Sequence, residues 1–160
     1  MDYLYRDRIA LSKKREKPKL FGDEIWKYQI ILRKAEYYYN CKQSFIKKII
    51  RVYYRYRLKK VGMKLGFSIP INVFGPGLSI AHHGTIVVNG NSRIGANCRI
   101  HEGVTIGATN GNDKAPILGD NIFIGTGAKI IGNITIANNI AIGANAVVVK
   151  SFYESNITIA

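Results

Sequence analysis

The sequence predicts a mainly β protein, a parallel β-helix that follows a basic helical segment. Two observations lead to this prediction. Aliphatic residues recur at every sixth position from Val88 to Val148. The positive charge is concentrated in residues 1–67, which hold 19 Lys and Arg against 6 Asp and Glu, a net charge of +13; residues 68–160 hold 5 against 4, a net charge of +1. The 160 residues therefore divide into two parts of different character.

The basic segment, 1–67, is predicted to be helical. Asp23 is a candidate N-cap for a helix that runs towards Tyr39. A second helix is predicted from Ser44 to Lys60, because apolar residues recur there at spacings of three and four. The segment then leads into the β-helix at Phe67–Asn72, which is predicted to be extended.

The six-residue period defines the second part of the chain. Ten of eleven positions in the repeat are Val, Ile or Leu: Val88, Ile94, Ile100, Ile106, Leu118, Ile124, Ile130, Ile136, Ile142 and Val148. The exception, Asn112, lies in a polar stretch that we predict to be a loop pushed out from a corner. Helices repeat at 3.6 residues and strands at 2, so the pattern fits coils with three six-residue sides, stacked to bury the aliphatic residues.

The β-helix is predicted over residues 68–152, with residues 153–160 as a C-terminal tail; whether the tail is truncated is left open. The alternative is a sandwich of short strands in which the six-residue phase is accidental. A sandwich would show turn signals every 8–12 residues, so the repeat favours the β-helix.

Composition excludes several classes of protein. The two cysteines, Cys41 and Cys98, form no zinc-type spacing and no disulfide framework. No apolar stretch of about 18 residues is present, and residues 1–15 lack the apolar centre of a signal peptide. A reduced cytoplasmic protein is predicted, with no metal site.

Four segments resemble the serine acetyltransferase branch of the hexapeptide-repeat acetyltransferases. They are Ala81-His82-His83-Gly84-Thr85 with Ile86-Val87-Val88, then Val104-Thr105-Ile106-Gly107-Ala108-Thr109, then Ile124–Ile130, and finally Ile142–Val148. The resemblance covers about half of the chain. It implies a left-handed parallel β-helix, acetyl-CoA as the acetyl donor, a hydroxyl group as the acceptor, and a homotrimer with active sites between subunits. It also implies that His82 is the general base.

Three positions depart from that family's pattern. Ala81 replaces the acidic residue that precedes the catalytic histidine, Ala115 replaces the second active-site histidine before Pro116, and Lys114 replaces a neighbouring arginine. Because these family residues recognise serine, and because the basic lead-in resembles acetyltransferases of capsule and exopolysaccharide clusters, a sugar hydroxyl is the expected acceptor. The alternatives are a serine O-acetyltransferase of cysteine biosynthesis and a non-catalytic β-helix scaffold or polyanion-binding module.

Stacking predicts which residues share the catalytic site. An offset of 18 residues between coils, about 4.8 Å apart, places His83 near His101 and Gly84 near Glu102. Glu102 would then orient a histidine and stabilise its charged form, in place of the acid that is missing at position 81. The catalytic candidates are therefore His82, Glu102, His83 and His101. An alternative for these histidines is a structural role at a subunit interface.

The resemblance also places acetyl-CoA along the later coils. The candidate binding residues are Thr105, Gly107, Ala108, Thr109, Gly125, Thr126, Gly143, Ala144 and Lys150. Small residues allow close approach of the pantetheine arm, and Lys150 could meet a phosphate. Gly107 and Ala108 are candidates for the backbone N–H that stabilises the oxyanion. Ordinary corner geometry is the alternative explanation for each glycine.

Residues 42–64 contain nine Lys or Arg and no acidic residue. This stretch is either a solvated helical face or a contact for an anionic glycan, a lipid-linked sugar or a membrane surface. Membrane contact would make the protein peripheral to the inner face of the membrane. Nucleic acid binding is the least favoured interpretation because no known motif is present. Pairing of trimers into hexamers through this segment is left open.

Overall fold

A computed structural model describes residues 2–42, 44–109 and 113–160. Three helices come first: α1 (Asp2–Ala10), α2 (Glu24–Asn40) and α3 (Phe45–Leu65). Thirteen short strands follow in the described residues: β1 (Phe67–Ser68), β2 (Ser79–Ile80), β3 (Ile86–Val88), β4 (Arg93–Ile94), β5 (Arg99–Ile100), β6 (Thr105–Gly107), β7 (Ile117–Leu118), β8 (Phe123–Ile124), β9 (Lys129–Ile131), β10 (Thr135–Ile136), β11 (Ala141–Ile142), β12 (Val147–Val148) and β13 (Thr158–Ile159).

The strands form three parallel sheets, which are the three sides of a prism. Face A has the strand order β1-β3-β6-β9-β12, face B has β10-β7-β4, and face C has β13-β11-β8-β5-β2. Along the chain the strands visit face C, then A, then B, and return to C one coil higher. The predicted fold class, a left-handed parallel β-helix with an N-terminal helical segment, is confirmed.

The aliphatic repeat forms the core of the prism. All ten aliphatic positions of the repeat are buried, with at most 4% of their surface exposed. A second inward position, four residues after each of them, holds further buried residues such as Val104, Ile122 and Ile140. The one position of the repeat that is not aliphatic, Asn112, lies outside the described residues. Each coil thus buries its apolar side only against its neighbours, as the period predicts.

Asparagines build one corner of the prism. Asn97, Asn121 and Asn139 follow face B and all adopt left-handed backbone angles, with φ between 57° and 59°. Asparagine tolerates this conformation better than most residues with a side chain. The three side chains form a ladder, with Nδ2 of Asn97 donating to Oδ1 of Asn121, and Asn121 donating to Asn139, both at 2.8 Å. The sequence analysis did not identify this ladder.

The helical segment differs from its prediction in three ways. α1 was not predicted. Asp23 precedes α2 but does not cap it: its φ is +55° and its carboxylate accepts instead from the Lys19 backbone N–H at 2.9 Å. α3 runs beyond Lys60 to Leu65, with Ser44 as its N-cap and Gly66, at φ +82°, ending it in the left-handed conformation that glycine accepts.

A buried ionic cluster attaches the helices to the first coil. Arg33 on α2 bonds the carboxylate of Asp7 on α1 at 2.7 Å and that of Glu36 at 2.9 Å. Its guanidinium also donates to the backbone oxygens of Phe74 and Gly75. Asp7 in turn accepts from the backbone N–H groups of residues 77 and 78 at 2.8 Å. Every charge in this cluster therefore has a partner, as burial requires.

The β-helix continues past the boundary predicted at residue 152. Strand β13 pairs with β11 in register Ile142↔Ile159, so the segment predicted as a tail supplies part of a last coil.

Cys98 is buried in the core, where burial raises the pKa of its thiol to about 12. Within the described residues, no helix combines the length and apolar character needed to cross a bilayer.

Candidate active site

The histidines lie at the C–A corner, which we define as the turns between each face C strand and the following face A strand. These turns are residues 81–85, 101–104, 125–128 and 143–146. Before the corner, on face C, Ser79 pairs with Arg99, an offset of 20 residues. After the corner, on face A, Val87 pairs with Thr105, an offset of 18. Between the pairs Ile80↔Ile100 and Val87↔Thr105, six residues (81–86) therefore lie opposite four (101–104), and the two extra residues form a bulge.

This bulge corrects one prediction and agrees with another. His83 does not stack near His101, because the backbone of Ala81 is the part that pairs with this coil, through its N–H and the Ile100 carbonyl at 3.0 Å. It is His82 that meets His101, with ring centroids 5.8 Å apart. The side chain of His83 is exposed and lines a separate cavity beside Lys13 and Trp26.

Gly84 does stack on Glu102, as the 18-residue offset predicts. A Cβ atom on Gly84 would lie 2.9 Å from Cβ of Glu102, and the φ of +142° is unfavourable for any other residue. Glycine is thus required here to bring Glu102 close to the histidine-bearing turn. His82, His101 and Glu102 each offer an oxygen or nitrogen atom, and these atoms lie within 4.8 Å of one another.

Thr126 fixes the carboxylate from the next coil. Its hydroxyl is 2.7 Å from Oε1 of Glu102 and donates a hydrogen bond to it. The second carboxylate oxygen, Oε2, is buried and has no protein partner, and the same is true of Nε2 of His101. Buried polar atoms without partners are uncommon and frequently mark functional sites. Both atoms are candidates to interact with a substrate or with the His82 imidazole.

The corner favours one negative charge beside His82. The Thr126 hydrogen bond holds the pKa of Glu102 below its ordinary value, and the nearby histidines act in the same direction. Desolvation lowers the pKa of His101, with a further contribution from the positive charge of Arg99. At neutral pH, Glu102 is therefore ionised and His101 is neutral. The carboxylate can stabilise an imidazolium as it forms on His82.

Two imidazoles and a carboxylate in this arrangement could also hold a metal ion. Proton transfer by His82 needs none. The phenyl ring of Phe123 packs against His101, with centroids 5.2 Å apart, and gives the imidazole an apolar neighbour on one side.

The predicted acetyl-CoA residues fall on two different corners. Gly125, Thr126, Gly143 and Ala144 lie in the C–A corner, and Thr105 and Gly107 lie on β6 of face A. Ala108, Thr109 and Lys150 lie beyond face A, in the A–B corner, which we define as the described residues 89–92, 108–109, 113–116, 132–134 and 149–151. One copy of the chain therefore does not bring all nine residues together.

Coil stacking accounts for one of these glycines. A Cβ on Gly125 would lie 2.7 Å from the Ala144 backbone nitrogen, so the corner needs glycine there whether or not a ligand binds. Lys150 has its ammonium 5.5 Å from the centre of the Phe152 ring. Thr126 was predicted as a cofactor residue, and its contact with Glu102 was missed. The signal was available in an offset of 24 residues between the two, which is one coil plus the six residues of the extruded loop.

Comparisons with known proteins find sequence similarity over about half of the chain. No family model matches the chain. The chain is 46% identical over 80 residues to a serine acetyltransferase from Staphylococcus xylosus and 44% identical to one from Staphylococcus aureus. Each match covers 48% of this chain and 37% of the relative, so the chain matches less than half the length of these proteins.

Solved structures extend the similarity to nearly the whole chain. The Neisseria gonorrhoeae serine acetyltransferase in complex with serine superposes with a TM-score of 0.71 at 29% identity, covering 98% of this chain and 64% of that one. The Entamoeba histolytica isoform 3 in complex with cysteine gives 0.75 at 26%, covering 98% and 56%. This chain is similar to serine acetyltransferases in sequence over about half of its length and in fold over nearly all of it.

The prediction of a capsular or exopolysaccharide sugar as acceptor is wrong. The named relatives and the structural neighbours are serine acetyltransferases, and none of them points to capsule clusters. The losses at Ala81 and Ala115 weighed too heavily in that prediction. Ala115 is buried here, with 4% of its surface exposed, so the extruded loop presents no polar side chain at this position. The expected glycan contact of the basic segment has no support either.

Proposed function

We propose that this protein transfers the acetyl group of acetyl-CoA to the hydroxyl of L-serine. The observation that carries the proposal is the cluster of His82, His101 and Glu102 at the C–A corner. One nitrogen or oxygen atom from each side chain lies within 4.8 Å of the other two. The serine acceptor is supported by relatives at 44–46% identity and by a structural neighbour in complex with serine. The groups that hold the amino acid differ from those of the family at positions 81, 114 and 115.

The proposed chemistry is direct transfer. His82 removes the proton of the serine hydroxyl as the oxygen attacks the thioester carbonyl, and the C–O bond forms. The resulting oxyanion collapses, the C–S bond breaks, and the CoA thiolate takes the proton back from the imidazolium. Glu102, held by Thr126, stabilises that imidazolium through its charge. No acyl-enzyme is required, which agrees with the burial of Cys98.

We further propose that the protein works as a homotrimer with its sites between copies. The C–A corner carries the histidines, whereas Gly107, Ala108 and Lys150 lie on the far side of face A. A neighbouring copy could supply its A–B corner to the histidine corner of the first. Apolar side chains exposed on face A, Val87 and Val147, support burial of this face. Light scattering would give the mass of the assembly.

The test is release of CoA from acetyl-CoA in the presence of L-serine, followed with a thiol reagent. Three proteins are compared: the native chain, His82→Ala and His83→Ala. Removal of a general base lowers turnover by about 100- to 10,000-fold. His83 is the matched control, because it is the adjacent residue and its exposed side chain lines a separate cavity that His82, His101 and Glu102 do not line.

The expected result is serine-dependent CoA release that His82→Ala abolishes and His83→Ala retains. Equal loss in both variants would contradict the assignment of the base. If CoA is released only slowly and serine does not accelerate it, the acceptor proposal fails while donor binding survives. Isothermal titration with CoA separates that outcome from a scaffold that binds no donor.

A further inference from the structure

Helix α3 is fixed against the rest of the molecule by one side. The ring of Tyr54 stacks on that of Tyr38 from α2, with centroids 5.4 Å apart and planes 8° from parallel. Near the other end, Gly62 is buried, and a Cβ there would lie 2.7 Å from the carbonyl oxygen of Phe67. These contacts determine which side of the 21-residue helix faces outward.

The outward side carries an apolar stripe. Its members have 56–78% of their surface exposed and recur at spacings of four, three, four and seven residues, which places them in one row on a helix. They are Phe45, Ile49, Val52, Tyr56 and Met63. The row remains exposed after the opposite side has packed on α2. Val52, Tyr56 and Met63 border an open groove towards residues 67–72, yet each keeps more than half of its surface exposed.

Basic residues line both edges of the stripe. Lys48, Arg55 and Lys59 form one row, spaced seven and four residues apart, and Arg57, Lys60 and Lys64 form the other, spaced three and four apart. All six are exposed. The helix therefore presents an apolar centre between two cationic borders, over a length of about 31 Å.

We propose that this outward face of α3 binds the surface of an anionic lipid bilayer. An amphipathic helix lies in the interface with its apolar row among the acyl chains and its cations at the headgroups. Lysine and arginine at the edges can extend their charged ends to the phosphates while their stems cover apolar surface. Each cation near an anionic leaflet adds to the attraction, which salt screens.

Charge argues against a second copy of the chain as the occupant. Residues 42–64 contain no acidic residue, so two copies of the helix would bring like charges together. The β-helix offers no acidic counterface either, since residues 68–160 hold four acidic residues against five basic ones. An anionic bilayer complements both features of the face, its charge and its apolar row. This proposal does not depend on the acetyl-transfer activity.

The experiment is co-sedimentation with vesicles of phosphatidylcholine, alone or with about 30 mol% phosphatidylserine, in low and high salt. The stripe variant is Phe45→Gln with Val52→Gln, and the charge variant is Arg55→Gln with Lys59→Gln. Tyr153→Gln is the matched control, because Tyr153 and Phe45 each have 78% of their surface exposed and Tyr153 lies on neither α3 nor face A. Circular dichroism checks that each variant keeps its helices, which is expected because all the changed side chains are exposed.

We expect the native chain and the Tyr153→Gln control to bind phosphatidylserine vesicles at low salt and to be released at high salt. Binding should fall at least fivefold in both α3 variants. Equal binding to phosphatidylcholine alone, or unchanged binding in the stripe variant, would overturn the proposal. So would a change of assembly mass in the stripe variant without vesicles, since the face would then be an interface between copies.

Discussion

Residues 67–160 bury aliphatic side chains at regular positions, coil upon coil, and keep their charges outside. Residues 2–66 attach to the β-helix differently: α2 adds Tyr28 and Leu32 to the apolar core, and a buried ionic cluster lies beside them. Arg33, Asp7 and Glu36 have at most 7% of their surface exposed. The first region spreads its stability over many equivalent apolar contacts, whereas the second adds a few buried ionic contacts to its apolar ones. We therefore expect the two regions to differ in which substitutions lower their free energy of unfolding most.

The largest expected effect comes from breaking the ionic attachment. Arg33→Met leaves Asp7 and Glu36 buried without their cation, which costs about 3–5 kcal/mol. We expect the helical segment to unfold at lower urea than the β-helix, so that two transitions replace one. Circular dichroism and tryptophan fluorescence follow this, since the chain's one tryptophan, Trp26, lies on α2.

The control for this change is Lys27→Met. Lys27 pairs with the half-exposed Glu24 at 3.2 Å on the same helix, and pairs of this kind contribute about 0–1 kcal/mol. A single transition in both variants would show that the two regions unfold together and that the ionic link is no weak point.

The next effect tests the β-helix core. Ile124 is fully buried, and Ile124→Ala is expected to lower the free energy of unfolding by about 2–5 kcal/mol through the lost side chain and the cavity left behind. Ile49→Ala removes the same atoms from a residue that is 56% exposed and should change stability by less than about 0.5 kcal/mol. Urea titration of both variants gives the comparison. A large loss for Ile49→Ala would mean that α3 is covered in solution.

The asparagine corner gives a smaller effect. Asn121→Ala places alanine at φ +57° and breaks two rungs of the ladder, for a loss of about 1–2 kcal/mol. Asn121→Gly breaks the same rungs without the backbone strain. Thermal unfolding should therefore rank the native chain first, the glycine variant second and the alanine variant third. If the alanine variant is instead more stable than the glycine variant, backbone strain at position 121 is unimportant, and Asn121 contributes through the ladder alone.

The smallest effect concerns the positioning residue at the active site. Glu102→Gln keeps the Thr126 contact but removes the negative charge, and kcat should fall about fivefold, which is about 1 kcal/mol. Because the Thr126 hydrogen bond lowers the pKa of Glu102, the native carboxylate stays ionised until the pH falls through that lowered value. In Glu102→Gln, the imidazolium that forms on His82 lacks this negatively charged partner.

The acid limb of the kcat/KM profile should accordingly move to lower pH in Glu102→Gln, because protonation of the base becomes less favourable. Measurement of kcat/KM between about pH 5 and 8 with serine checks this. A lower rate with an unmoved limb would mean that Glu102 has a structural role only.

Much of the fold could be predicted because the β-helix repeats its own pattern. Val88 to Val148 follow a period that no helix or hairpin shares. The helices were harder to predict. α1 has no strong apolar periodicity, and what holds it is Asp7 reaching Arg33 from 26 residues away. Asp23 has the composition of an N-cap, but its carboxylate is taken by the Lys19 backbone and by Lys13 and Arg15.

The candidate site divides in the same way. The resemblance to serine acetyltransferases pointed to His82, and the 18-residue offset that stacks Gly84 on Glu102 pointed to Glu102. The bulge at 81–85 could not, because two additional residues change which side chains meet without disturbing the aliphatic repeat that fixes the coils above and below. His83 and His101 were therefore paired wrongly, and Thr126 was given a different role.

By itself, the sequence determined the stacked core, since burial of a six-residue repeat depends only on local composition and period. It also determined that one basic, aromatic segment would stand apart. Only the tertiary structure decided which groups meet at the corner and which side of α3 stays exposed. Both depend on contacts between residues distant in the chain: a stacking register altered by two residues in the first case, and the packing of Tyr54 on Tyr38 in the second.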